Sequence, residues 1–303
     1  MKYLASILIL FVCQFVHAAT QSGLERINFY PKVSAYLTSA YSNQNLSITT
    51  PRNAVDDTEV TNNRNVFSLT YAYFLNKLFL GATVIYEAAS ESAANYGIPS
   101  SKNYSSQGFK EPAIFILTRL REQSGSTGNI DFYLSFTNSL GAREIGGSTS
   151  NRLHGRNTLT SIIGHGMLED KWEFKNALQW TFFDEGDEHN KIQGKQFQPG
   201  SYNLIKYSFT GQYQINPWLF INASAEFEYR TVQKIRDETG TTREIQAGTG
   251  SIFSLGAKKP LSDWAVIEIK GELERHDYFI LGENNFDGEV TQTTYTLSYA
   301  QGF

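Results

Sequence analysis

Along most of this chain, large apolar residues recur at every second position and small or polar residues fill the gaps, which is the side-chain period of a β-strand. The alternation is cleanest at 223–230, where Ala223, Ala225, Phe227 and Tyr229 interleave with Ser224, Glu226, Glu228 and Arg230. It returns at 265–274, with Ala265, Ile267, Ile269 and Leu273 against Glu268, Lys270, Glu272 and Glu274. About twelve such segments are predicted, at 32–42, 64–75, 78–87, 109–122, 130–140, 156–168, 171–183, 201–214, 218–232, 249–259, 263–276 and 291–303. Five short turns (76–77, 123–129, 169–170, 216–217, 260–262) alternate with six long polar segments (43–63, 88–108, 141–155, 184–200, 234–248, 278–290) that read as loops.

The final segment, TQTTYTLSYAQGF, places Tyr295, Leu297 and Tyr299 on one face and Thr294, Thr296, Ser298 and Ala300 on the other, and it ends on Phe303. It resembles the closing strand of Gram-negative outer-membrane β-barrels. That resemblance implies insertion by the barrel-assembly machinery, residence in the cell outer membrane and contact with its lipid. An even strand number with short turns at one end and long loops at the other fits it. The expected fold is all-β: one transmembrane antiparallel up-and-down barrel over 32–303, with both termini periplasmic. Closure removes the strand edges that would otherwise leave backbone groups unpaired in lipid. A β-sandwich is disfavoured, because two faces this charged cannot share a core.

Charge decides which face looks inward. A charge on the lipid face at mid-membrane costs about 2–4 kcal/mol, so a row of four belongs to the lumen. This parity predicts that Glu226, Glu228 and Arg230, and Glu268, Lys270, Glu272 and Glu274, line the lumen. The same reasoning places Arg119, Arg121, Asp131, Glu173, Lys175, Lys206 and Lys258 inward. Trp172 and Trp180 share the opposite face, about 20 Å apart along the membrane normal, and would mark the two edges of the apolar band. Strict alternation sends Trp218 and Trp264 inward, so either a bulge shifts the register or they line the mouth. The segment 159–168 fits neither parity well.

The amino terminus reads MKYLASILILFVCQFVHAAT. Lys2 precedes an apolar run, and Val16 and Ala18 precede a cleavage position, so 1–18 is expected to be a secretory signal and 19–31 a short leader. The only cysteine, Cys13, lies in that signal. Phe and Tyr number 21 and 17, which suits interfacial aromatic girdles. A formal net charge of -4 gives no overall basic surface, so nucleic acid is not an expected partner.

Candidate chemistry is sparse. His154 and His165 are candidate bases for a lipid-modifying enzyme, but neither lies in the His-x-Ser-Asn-Gly context of outer-membrane phospholipases. Glu226 and Glu228 stand about 7 Å apart on one strand face, and opposed Lys and Arg account for them without acid–base chemistry. The acidic run at 184–189 has no recognised Ca²⁺ ligand spacing. No enzyme activity, cofactor or metal is expected. The reading is a porin-like channel for passive passage of small polar solutes, with selectivity set by charges on the fourth and the seventh to eleventh strands. A closed structural barrel that mediates adhesion through its external loops is the alternative.

Overall fold

The structure is a computed structural model that describes residues 33–49, 58–75, 78–95, 102–145, 155–190, 195–276, 279–281, 284–286 and 289–303. The signal and leader expected over 1–31, the turn at 76–77 and His154 lie outside these residues. In chain order the strands are β1 (Ala35–Thr49), β2 (Thr58–Leu75), β3 (Leu78–Asn95), β4 (Lys102–Phe109), β5 (Ala113–Arg121), β6 (Asn129–Thr137), β7 (Arg143–Ile145), β8 (Arg156–Glu169), β9 (Trp172–Gly186) and β10 (Glu188–Asn190). They continue as β11 (Lys195–Pro199), β12 (Tyr202–Asn216), β13 (Leu219–Arg230), β14 (Gln233–Asp237), β15 (Thr242–Ile245), β16 (Gly248–Ser262), β17 (Ala265–His276), β18 (Phe279–Leu281), β19 (Asn284–Phe286) and β20 (Glu289–Gly302).

Twelve of these form a closed antiparallel ring in the order β1-β2-β3-β5-β6-β8-β9-β12-β13-β16-β17-β20 and back to β1. The seam is well made. β20 pairs with β1 from Tyr36↔Gly302 to Thr49↔Glu289, the Phe303 N–H donates to the Ala35 carbonyl at 2.8 Å, and the Ser34 N–H donates to the Phe303 carbonyl at 2.9 Å. With no edge left open, every strand of the ring satisfies its backbone within the sheet, which a lipid surround demands.

Side chains separate by face. Tyr71, Leu178, Tyr207, Phe227, Phe253, Leu255, Ile269, Tyr295 and Leu297 point outward and are 40–65% exposed, an apolar belt on the convex surface. Trp172 and Trp180 belong to that belt, and Trp172 packs on Tyr213 at 4.6 Å between ring centroids. Such a surface would be an aggregation hazard in water and is what a bilayer requires. This is the fold of a twelve-stranded outer-membrane barrel.

Three predicted features are corrected. The loops at 43–63 and 88–108 are mostly strand, since the β1–β2 ladder runs on to Thr49↔Glu59 and the β2–β3 ladder to Thr58↔Asn95. Beyond the lipid both faces can be polar, so the alternation ends while the ladder continues. There Tyr41 Oη donates to Asn65 at 2.7 Å and Asn43 Nδ2 to the same oxygen at 3.1 Å. Next, the segments 141–155, 184–200 and 234–248 contribute to a five-stranded sheet, β15-β14-β11-β10-β7, at the long-loop end. Finally, β16 continues through Pro260 to Ser262, and the turn is at Asp263 and Trp264. Register shifts at Gln214/Asn216 and Pro260/Ser262 precede the turns that hold Trp218 and Trp264, so strand parity does not govern either tryptophan.

The weak periodicity of β8 also has a cause. Its pairing with β6 and β9 puts Thr158, Thr160, Ile162, Gly164 and Gly166 on the face of Asp131 and Lys175, leaving Ser161 and His165 with Ile163 on the outer face. One apolar residue inside and two polar ones outside blur the pattern.

Candidate functional site, the barrel lumen

The inner face of the ring carries an apolar cluster and a set of charges. From β17 and β20 through β1, β2, β3 and β5 to β6, a cluster of Val33, Tyr36, Ala72, Phe79, Phe115 and Val266, with Leu117, Tyr133 and Ala300 against it, lies near the short-turn end. Phe79 is fully buried, and its ring lies 5.7 Å from Tyr36, while Phe115 lies 5.3 Å from Tyr133. Gly81 makes room for this cluster, because a Cβ there would stand 2.3 Å from the Phe115 ring. The aromatic residues share parity with Arg119, so the lumen wall here is apolar and charged by turns along one strand.

The charges run past this cluster on β5 and β6 and continue over β9, β12, β13, β16 and β17. Arg119 and Asp131 face each other across β5 and β6 in a bidentate pair, Nε to Oδ1 at 2.7 Å and Nη2 to Oδ2 at 3.1 Å, and Asn129 donates to the same carboxylate at 3.0 Å. Lys175 lies within electrostatic reach of Asp131, Arg119, Glu173 and Lys258. Glu173 accepts from Gln212 Nε2 at 3.1 Å, and both are almost fully buried. Asn222 donates to Glu268 at 3.0 Å. Lys270 meets Glu272 at 3.3 Å along β17. Adjacent inward neighbours Ser224 and Ser254 hydrogen-bond at 2.5 Å, as do Ser42 and Thr296 at 2.8 Å.

Further toward the long-loop end, Lys206 pairs with Glu228 at 2.7 Å, and the second Glu228 oxygen lies 2.7 Å from His276 Nδ1. His276 Nε2 contacts Glu274, whose other oxygen accepts from Gln292 at 3.1 Å. Glu226 projects from the same face opposite Ser208 and Ile252 and has no ion pair among the described residues. Arg230, at the rim, lies over the Tyr202 ring at 4.4 Å and contacts Gln233. On the opposite wall the buried Glu87 holds Lys110 at 2.7 Å.

Of the sequence-predicted lumen residues, Arg121 is placed differently. The register shifts between Arg119 and Arg121, so Arg121 pairs with Ile130 rather than sharing the Asp131 face, and its Nε donates to the Gly128 carbonyl at 3.0 Å. A bulge of one residue inverts parity, which alternation counted without pairing cannot register. Sequence reasoning also passed over His276, Glu87 and the aromatic cluster. Parity carried the signal for His276, which continues the series 268, 270, 272, 274, and for Phe115, which continues that of Arg119.

Other candidate chemistry does not converge. His165 is exposed on the outer face. The acids at 184–189 go to separate partners: Asp184 accepts from Asn157 at 3.3 Å and Glu188 lies 3.7 Å from Arg143. A cleft of about 570 Å³ opens between the rim and the five-stranded sheet, where Arg156, Lys234 and Arg236 stand with Glu185 and Asp187.

No protein-family model matches the chain. No curated protein matches its sequence. Among solved structures it resembles an outer-membrane channel from Pseudomonas putida F1, with a TM-score of 0.64 and 13% identity over 95% of this chain and 100% of that one. It also resembles the transport unit of the autotransporter AIDA-I from Escherichia coli, with a TM-score of 0.57 and 10% identity over 100% of this chain and 98% of that one. At these identities the likeness establishes the barrel fold.

Proposed function

We propose that this barrel is a passive outer-membrane channel for small polar solutes, with both termini on the periplasmic side and the long-loop end outside. The observation that carries the reading is the concentration of charge on the inner face of a closed ring whose outer face is apolar along the middle of its strands, with Arg121, Lys259 and Arg275 near the strand ends. A lumen that served only as a packed core would not hold so many carboxylates and cations, since burial without water costs more than pairing returns. The inward ladder of Thr, Ser, Asn and Gln supplies exchangeable hydrogen bonds to a hydrated solute. The cluster of Tyr36, Phe79, Phe115 and Tyr133 would narrow the passage at the short-turn end, beside Arg119 and Asp131.

A ring of twelve strands lies between the filled eight-stranded barrels and the wide sixteen-stranded porins, so a narrow conduit is expected. Selectivity would come from Arg119, Asp131, Glu173, Lys175, Lys206, Glu226, Glu228, Arg230, Glu268, Lys270, Glu272 and Glu274. The signal at 1–18 would deliver the chain to the periplasm, and the strand ending at Phe303 would be recognised by the barrel-assembly machinery. Refolded protein should raise the swelling rate of liposomes in isotonic small sugars or amino acids. Liposomes that swell no faster than protein-free ones would overturn the reading. The ladders of β1 to β4 that rise past the belt favour the second reading, adhesion through the external wall. Loss of surface binding on shortening those hairpins, with swelling unchanged, would mark that role as separate.

A further inference from the structure

Glu228, Glu274 and His276 present ligand atoms that lie within 4.8 Å of one another on the inner wall. They come from β13 and β17, which are not neighbours. β16 runs between them, and the residue it places there is Gly250, paired with Glu228 on one side and His276 on the other. A Cβ at that position would stand 2.3 Å from His276 Nδ1 and 2.8 Å from Glu228 Cγ. The glycine is therefore what lets a carboxylate and an imidazole from next-but-one strands meet across the sheet.

We infer that Glu228, Glu274 and His276 form a binding site for a divalent transition-metal ion of the Zn²⁺ class. One imidazole nitrogen and two carboxylates are ligands suited to such a borderline ion. Tetrahedral Zn²⁺ ligands stand about 3.3 Å apart at bond lengths near 2 Å, so the carboxylates that now hold the two ring nitrogens separately would turn toward the same nitrogen to enclose the ion. Each carboxylate already has a second partner that would hold it in place: Lys206 on Glu228 at 2.7 Å and Gln292 on Glu274 at 3.1 Å. Such outer contacts orient ligands in metal sites generally.

Charge points the same way. Glu226 shares the inner face one step along β13 and has no ion pair among the described residues. With a neutral imidazole, Glu226, Glu228, Glu274 and Lys206 leave two net negative charges, which a divalent cation balances. Three protein ligands leave positions open to water, and the ion would sit on the wall of the lumen rather than in a sealed core. The inference does not depend on conduction, because binding is measured on the barrel in detergent.

The test is titration of untagged, refolded barrel with ZnCl₂ by calorimetry and with CoCl₂ by visible absorption. One ion per chain is expected, with d–d bands of a nitrogen- and oxygen-ligated Co²⁺ that Zn²⁺ displaces. His276→Ala and Glu274→Gln should each weaken binding about a hundredfold. Gly250→Val, which fills the gap between the ligands, should do the same with all three ligands retained. His165→Ala, on the outer face, should leave binding unchanged. A wild-type barrel that binds neither ion would overturn the inference, as would affinity that survives His276→Ala or Glu274→Gln. If the ligand variants fail to refold, the wild-type stoichiometry and Co²⁺ spectrum still decide: absence of nitrogen-ligated bands rejects the site.

Discussion

At the scale of single residues, Arg119 and Asp131 set the charge balance of the short-turn end. The bidentate pair sits within electrostatic reach of Lys175, so Asp131 is the counter-charge for more than one cation. Asp131→Asn keeps the shape and removes the charge, leaving a largely enclosed guanidinium without its carboxylate. A cost of about 3 kcal/mol in urea unfolding of the detergent-solubilised barrel is expected. In bilayers the same variant should move the reversal potential under a KCl gradient toward anions, and an unchanged potential would remove Asp131 from the selectivity set. Phe115 tests the aromatic cluster, on the same strand as Arg119. It is buried in the aromatic cluster over Gly81, and Phe115→Ala should widen the passage and raise unitary conductance severalfold, read directly from single-channel steps.

At the scale of elements, β20 carries the clearest contrast between faces. Leu297 is exposed outside, opposite Tyr41 and Ile269, while Ser298 faces inward opposite Glu268. Leu297→Lys puts a charge near mid-membrane and should cost about 2–4 kcal/mol, whereas Ser298→Lys gains a carboxylate neighbour and should cost less than about 1 kcal/mol. Equal costs, read from unfolding in lipid bilayers, would contradict the face assignment. The same strand explains what was legible in the sequence. Where lipid lies on one side and water on the other, as at 294–300, the alternation states the face directly. Where the strand leaves the lipid, as at 43–47, Asn, Gln and Ser occur on both sides, and the ladder persists with no periodic signature. Where a bulge inserts a residue, as between Arg119 and Arg121, the count slips by one and the face inverts. The turn tryptophans follow from the same two bulges near Gln214 and Pro260.

The fold of the whole molecule was readable because an even strand number and the rhythm of short and long connections fit a closed barrel. The composition of the lumen was readable only in part. Charge announces the inward face, so Glu226 to Arg230 and Glu268 to Glu274 were visible. Aromatic residues on that face were not, since Tyr36, Phe79 and Phe115 look like lipid-facing residues until the register assigns them. The result is a ring with an apolar coat, inward charges on β3, β5, β6, β9, β12, β13, β16 and β17, and an apolar cluster at the short-turn end. Pairings that join non-adjacent strands, such as Glu228 with His276 across Gly250, depend on the closed sheet and leave no local trace in the chain.

Conduction through this ring is the property on which the proposed function rests. Single-channel recording of the refolded, untagged barrel in planar lipid bilayers tests it most directly. Discrete ohmic steps of narrow-pore size are expected, with a reversal potential that shifts with Asp131→Asn and an amplitude that rises with Phe115→Ala. Verified insertion with a silent membrane, in the wild type and in Phe115→Ala alike, would contradict it.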